Sequence, residues 1–480
     1  MFRRRVVESV LSVAVLTLPL ACPVAAAPAD DWSTGDFTVA AELRDRALRG
    51  TLAFEHASSL VTEVGPRLAG SRGDRASVAW ALAYLRTLGF DRIEAQPVSV
   101  PRWERGTAVV EITAPWPQPL VAVALGGSVG TPDHGIEAPV LRVGNLAELE
   151  ALGAERVAGH IVFIDEKMLP SRDASTYGVA VRKRTAGPSI AGSLGAAALV
   201  IRSVGTSQDR IAHTGALVYR IDAPRIPAVA ISNPDADLLA RQFESGEPVT
   251  IRLALTSRDL PPAMSANVIA EVVGSERPDE IVLLGAHLDS WDLAQGAEDD
   301  AAGVAIVAEA ARLIEALPMR PSRTVQVVLF ANEEFGLSGA SEYARALEKS
   351  GRRVIAALEA DLGSGAPWGF QGHVAAEAEP ALRAMHQVLE PLGIEFVDTP
   401  AFGGADLQPL KRSGTPVLQV RHDATHYFDV HHTVNDTLER VDRAALDRHV
   451  AAYAAMAYLA ATKRGDFGRL PPPTPPAATP

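Results

Sequence analysis

A single cysteine, Cys22, is all that the 480 residues contain. It lies in an N-terminal stretch that reads as a removable leader, so the mature chain would hold no thiol. Disulfide staples, thiolate metal ligation and a cysteine nucleophile are thereby excluded. This does not argue against export, because a chain this long can bury a core that stands without staples. Positive charge is also short: 45 Lys and Arg face 58 Asp and Glu, a formal net charge of −13. No Lys/Arg stripe offsets that balance, which excludes a nucleic-acid partner. No apolar run is long and uninterrupted enough for a stable membrane span, and no internal repeat is visible.

What is present begins with the leader. Arg3, Arg4 and Arg5 precede an apolar stretch over 6–20 that Glu8 interrupts, and Ala25-Ala26-Ala27 offers small residues for cleavage. Residues 1–27 therefore read as a signal peptide, and the protein as secreted or periplasmic. Leu20-Ala21-Cys22 faintly resembles a lipoprotein processing site, but Pro19 stands where an aliphatic residue is usual, so simple secretion is preferred to lipid anchoring. An apolar content of 47% marks a globular chain, and its length argues for two domains. Helical patterns over 36–50, 51–64 and 76–88, with alternating strands at 93–100 and 107–113, make an N-terminal part spanning 36–119. Pro115, Pro117 and Pro119 mark a boundary, beyond which short strands and Gly/Pro turns predict an inserted β-rich domain over 120–258. Pro261-Pro262 marks the return to a final part over 259–463. The tail over 464–480 turns proline-rich from Leu470 and is expected to be disordered.

The final part predicts α/β architecture: a mostly parallel mixed sheet covered by helices on both faces. Strands are expected at 267–273, 281–286, 324–330, 354–360 and 416–420, and helices at 300–317, 337–349, 379–392 and 441–461. Ile281-Val282-Leu283-Leu284 is a continuous apolar run, as a strand buried on both faces requires. It delivers His287 and Asp289 to the carboxyl edge of the sheet, where open α/β folds keep their sites. Asp299 and Asp300 then open an apolar helix, where an N-cap is the plain reading of Asp300. The next strand leads into Glu333-Glu334, which alone could be an ordinary helix start. The strand after that delivers Asp361. Beyond the last strand, residues 425–437 carry His426, His431 and His432. Four such coincidences at one sheet edge argue for a cation held by imidazole and carboxylate.

These stretches resemble the co-catalytic dizinc exopeptidases of the aminopeptidase and glutamate carboxypeptidase type, most of all the branch of the plasma glutamate carboxypeptidases. The likeness rests on Gly285-Ala-His-Leu-Asp-Ser-Trp-Asp292, Ala297-Glu-Asp-Asp-Ala-Ala-Gly303, Phe330-Ala-Asn-Glu-Glu-Phe-Gly-Leu-Ser-Gly339, Glu359-Ala-Asp361 and His432-Thr-Val-Asn-Asp-Thr437, with Gly65-Pro-Arg-Leu-Ala-Gly-Ser71 upstream. It spans most of 36–461 and implies the zinc exopeptidase, phosphorylase/hydrolase-like fold. It also implies two Zn2+ per chain: His287 and Asp361 on one, His432 and Glu334 on the other, Asp299 bridging. Glu333 is implied as general base and acid, Asp289 as the carboxylate that orients His287, and the Asp299–Asp300 bond as cis. His431 falls where relatives often carry a substrate contact. Tyr427 and His426 are further candidates. Asp406 belongs to a loop, Gly403-Gly404-Ala405-Asp406, that departs from the family's commoner Ser-Asp form. The insert resembles a protease-associated domain through residues 159–165 and 195–201, with no catalytic role implied. The expected partner is a short peptide substrate, and a homodimer is the one assembly the likeness allows for. The expected activity is that of a carboxypeptidase or dipeptidase, with an aminopeptidase as runner-up. A one-zinc glutaminyl cyclase or a non-catalytic binding protein stands further off.

Overall fold

A computed structural model describes residues 31–471. The leader, Cys22 and residues 472–480 lie outside the described residues.

The larger sheet has eight strands, numbered here in chain order: β1 (Arg92–Glu104), β2 (Arg258–Val272), β3 (Arg277–His287), β4 (Arg323–Phe330), β5 (Arg353–Glu359), β6 (Pro367–His373), β7 (Glu395–Phe396) and β8 (Val417–His422). Their order is β1-β2-β4-β3-β5-β8-β6-β7. The centre, β4-β3-β5-β8, is parallel, while β1, β2 and β6 join antiparallel. The apolar run of β3 serves two cores, as its alternation demands. Val282 and Leu284 pack with the helices Ala302–Glu315 and Arg443–Thr462, and Ile281 and Leu283 pack with Ala340 and Tyr343 on the opposite face. All four are fully buried. The predicted α/β layering holds, and β6 and β7 are additions to it.

A second sheet, also of eight strands, is built from the inserted segment. Two corrections follow. Strand Ala108–Ala114, expected on the near side of the proline boundary, pairs antiparallel with Thr250–Leu255 and belongs to this second sheet. The insert is not merely β-rich either. Strands Ile136–Val143, Ile161–Ile164, Ala198–Arg202 and Ala228–Ile231 run parallel, with helices such as Leu146–Val157 and Gly187–Ser193 in the crossovers. A parallel pair cannot be joined by a hairpin and needs a long crossover, which is helical before Ala198 and irregular between Arg202 and Ala228.

A third correction concerns the tail. Residues 464–471, expected to be disordered, are docked on the body. Phe467 is fully buried, Arg323 donates to the carbonyls of Lys463 and Gly465, and Leu470 N–H donates to Gly414 O.

Candidate active site

The parallel centre of the larger sheet gathers the predicted donors at its carboxyl edge. His287 closes β3, Glu333 and Glu334 follow β4, Asp361 follows β5, and the loop after β8 brings His431 and His432. Asp299 stands between the two histidines. Its Oδ1 lies 3.0 Å from His287 Nε2 and its Oδ2 3.3 Å from His432 Nε2. Each histidine has a second carboxylate: Asp361 Oδ1 is 3.5 Å from His287 Nε2, and Glu334 Oε2 is 2.9 Å from His432 Nε2. His431 Nε2 is further from Asp299, at 3.7 Å, and its ring stacks on His432 with centroids 3.6 Å apart.

The turn that presents Asp299 is held from several sides. The Asp299–Asp300 peptide is cis, as the resemblance implies. Asp300 does more than cap a helix: one oxygen accepts His287 N–H at 3.0 Å and the other accepts Gly303 N–H at 3.0 Å. Asp300 thus stands close to His287 and Asp361 with both oxygens already committed to main-chain donors. Asp436, inside the quoted His432–Thr437 motif, accepts the N–H groups of Ala297, Glu298 and Asp299 at 3.0, 2.7 and 3.3 Å. Arg67, quoted in a motif but given no role, is completely buried and donates to the carbonyls of Leu288, Gln295 and Gly296. A buried guanidinium aimed at three carbonyls fixes the loop between β3 and Asp299.

The role expected of Asp289 is redistributed. His287 Nδ1 lies 3.1 Å from the Asp289 main-chain carbonyl and 3.8 Å from its carboxylate. The carboxylate instead accepts Glu333 N–H at 3.0 Å, so it anchors the main chain of Glu333 rather than the His287 ring.

A cavity of about 690 Å³ opens over these groups. Tyr427 and His431 line it, together with Asp299, Glu333, Glu334, Asp361 and His432. Asp406, expected at the substrate, is a correction. Gly403, Gly404 and Ala405 form that wall, while Asp406 is buried with its main-chain N–H on Glu359. His426 is exposed and pairs with Asp429, away from the lining. The insert supplies a wall that local sequence signals did not reveal, including Tyr177, Arg184 and Val218. No short-range pattern announces such residues, because only the docking of the insert brings them there.

Acids dominate the electrostatics. Burial pushes the Glu333 carboxyl well above its ordinary range, and Asp361, Glu334 and Asp289 push the same way against His287. For His432 burial works downward, but Glu334 and Asp299 overcome it and raise the imidazole to about 9. Carboxylates that draw a proton onto a buried histidine will also draw a cation. Asp299 Oδ2 and Glu334 Oε1 are buried without a hydrogen-bond partner. Two imidazoles and three carboxylates with spare oxygens suit zinc.

The sequence pattern of peptidase family M28 matches residues 267–457. Carboxypeptidase Q of Xenopus laevis is 34% identical over 426 residues, covering 88% of this chain and 89% of that protein. The chain belongs to peptidase family M28. The M28 membership carries the enzyme class with it, a zinc metallopeptidase. Among solved structures, the crystal structure of a peptidase M28 precursor from Shewanella amazonensis SB2B superposes on this M28 peptidase with a TM-score of 0.89. It is 45% identical and covers 91% of this chain and 99% of that one. A zinc aminopeptidase from Bacillus subtilis, 20% identical with a TM-score of 0.63, shares the fold over 87% of this chain and 97% of its own.

Proposed function

We propose that the protein is an exported dizinc exopeptidase that hydrolyses dipeptides or short peptides, with a carboxypeptidase or dipeptidase action. The observation that carries the reading is Asp299 set between two histidines, each of which has a carboxylate of its own. His287 and Asp361 would hold one zinc, His432 and Glu334 the other, and Asp299 both. When bound, the pair would supply Lewis acidity and a water acidified toward neutrality.

The chain's own groups do the rest. Glu333 takes the proton of the attacking water and returns it to the leaving amine. Asp289 fixes the main chain of Glu333, so that the carboxyl next to a ligating Glu334 stays free for proton transfer. Burial, with the carboxylates around it, raises the affinity of Glu333 for that proton. The cavity of about 690 Å³ beside these groups has the size of a small-ligand pocket, which suits a short peptide.

Carboxyl-terminal recognition is favoured over amino-terminal by the lining. Arg184 and Arg421 both line the cavity, and a carboxylate clamp needs guanidinium or ammonium. Each also donates to protein acceptors, Arg184 to Thr214 O and Tyr177 and Arg421 to Gln371 and Asp173 O, so what they offer a substrate is chiefly charge. Beyond the proposed ligands and Glu333, the lining acids are Asp173 and Glu359. Glu359 already accepts the N–H groups of Asp406 and Leu407. Homology keeps the aminopeptidase reading as the second. The insert is read as a protease-associated-like unit, and export rests on the basic and then apolar N-terminal segment.

A panel of free, amino-blocked and carboxyl-blocked dipeptides tests the reading. Chelator-sensitive release of amino acids from free and amino-blocked substrates is expected, with carboxyl-blocked ones poor. Cleavage that survives carboxyl blocking but not amino blocking would establish the aminopeptidase instead.

A further inference from the structure

The two proposed cation positions differ in what holds them. His287 and Asp361 stand on β3 and after β5, and their supports, Asp300 and Arg67, belong to the same half of the molecule. His432 sits on a loop whose other side is the insert. Thr206 N–H donates to Phe428 O at 2.9 Å, and Thr206 Oγ1 donates to Asp429 at 2.7 Å. His213 Nδ1 faces His431 O at 2.7 Å, and Thr214 N–H donates to His432 O at 3.0 Å. Asn435 reaches back to Asp209 at 3.2 Å. The seam is apolar as well as polar, since Tyr427 and Phe428 share one core with Val162, Leu199 and Ile201 of the insert.

The ring of His432 is part of this seam. Its Nε2 faces Glu334 and Asp299; with that nitrogen given to a cation, Nδ1 would carry the proton and need an acceptor. Thr214 O, 3.4 Å away, is that acceptor. Arg184 Nη1 donates to the same carbonyl at 3.2 Å and stands 3.3 Å from Nδ1, where it can donate only while that nitrogen is unprotonated, so ion binding at Nε2 leaves Arg184 to the carbonyl alone. Two glycines leave the necessary room. A Cβ on Gly215 would lie 2.1 Å from Arg184 Nη1 and 2.7 Å from His432 Nδ1, and one on Gly205 would lie 2.1 Å from the His213 ring.

We propose that residues 206–215 of the insert are a positioning element for the His432 cation position: Thr214 fixes the tautomer, and His213 holds the loop through the His431 carbonyl. The inference rests on the two-cation reading above. The insert is then a working part of one half of the metal centre rather than a passive addition. Disturbing it releases one ion and spares the other.

The experiment is calorimetric titration of zinc into chelator-stripped full-length protein, with folding followed by far-ultraviolet circular dichroism. Wild type takes two ions. His213→Ala weakens one of them by about 10- to 100-fold, the usual effect of losing a partner that orients a ligand, and leaves the other unchanged. His213→Asn, whose side-chain amide can reproduce the lost donor, restores the weakened ion. Thr206→Val, which removes the hydroxyl that donates to Asp429 at 2.7 Å, shows the same selective loss in smaller measure and serves if His213→Ala does not fold. Variants that keep both ions at wild-type affinity, or weaken both alike, overturn the inference alone. A wild type that takes fewer than two ions overturns the two-cation reading and the inference with it.

Discussion

Adjacent residues after β4 divide the labour at the centre. Glu334 reaches His432 at 2.9 Å, while the main chain of Glu333 is anchored on Asp289. Glu333→Gln should therefore retain zinc and lower kcat by roughly 10²- to 10⁴-fold, the usual contribution of a positioned proton-transfer group. Glu334→Ala should lose an ion outright. Elemental analysis beside kcat separates the two outcomes, and a Glu333→Gln protein that loses metal would reverse the assignments. His287, Glu334 and Asp361 were legible because each stands within a few residues of the end of an apolar strand, so their shared edge could be inferred from order, whereas Asp299 and His432 lie further along their loops and were drawn in by the motif resemblance. Asp289 was legible as a residue of the site but not in its contacts, because spacing does not distinguish a main-chain carbonyl from a carboxylate. Arg67 and Asp436 were visible only as letters within motifs. Their work is done on main-chain groups far off in the chain, and nothing local encodes that.

Helix Ala302–Glu315 follows the Asp299 turn and is itself anchored by a buried acid. Glu309 accepts Arg312 at 2.6 and 2.7 Å, faces His56 Nε2 at 3.1 Å and takes Leu52 N–H at 3.2 Å. Burial alone would raise its carboxyl, but Arg312 and His56 overcome that and hold it at about 2. A carboxyl depressed in the folded state contributes stability above its unfolded value near 4.5, and the contribution is lost as pH falls toward 2. Glu309→Gln should cost about 3 kcal/mol at neutral pH and flatten the loss of stability between those values, measured by urea unfolding over pH. An unchanged acid limb would remove Glu309 from the account. At this scale the central strands were legible from continuous apolar runs. β6 was not, because Pro367, Gly369 and Gly372 break any such run and only pairing with β8 makes it a strand. Ala108–Ala114 reads as a strand from its alternation, but its sheet is settled by a partner more than a hundred residues away. Proline content made the whole tail look unstructured, although Phe467 has a buried seat.

Over the whole molecule, two layered units meet along a seam beside the cavity. The peptidase half brings the donors and the insert supplies a wall, and both press on the loop of His431 and His432. The sequence carries the order of the donors. It does not carry the contact between the units, which no periodicity records. The central claim is that two cations share Asp299. Anomalous diffraction at the zinc edge, on crystals of the zinc-loaded protein, tests it most directly. Two peaks roughly 3.5–4 Å apart are predicted, one against His287 and Asp361 and the other against His432 and Glu334, with Asp299 between them. A single peak at full occupancy, or peaks away from these five residues, would contradict it.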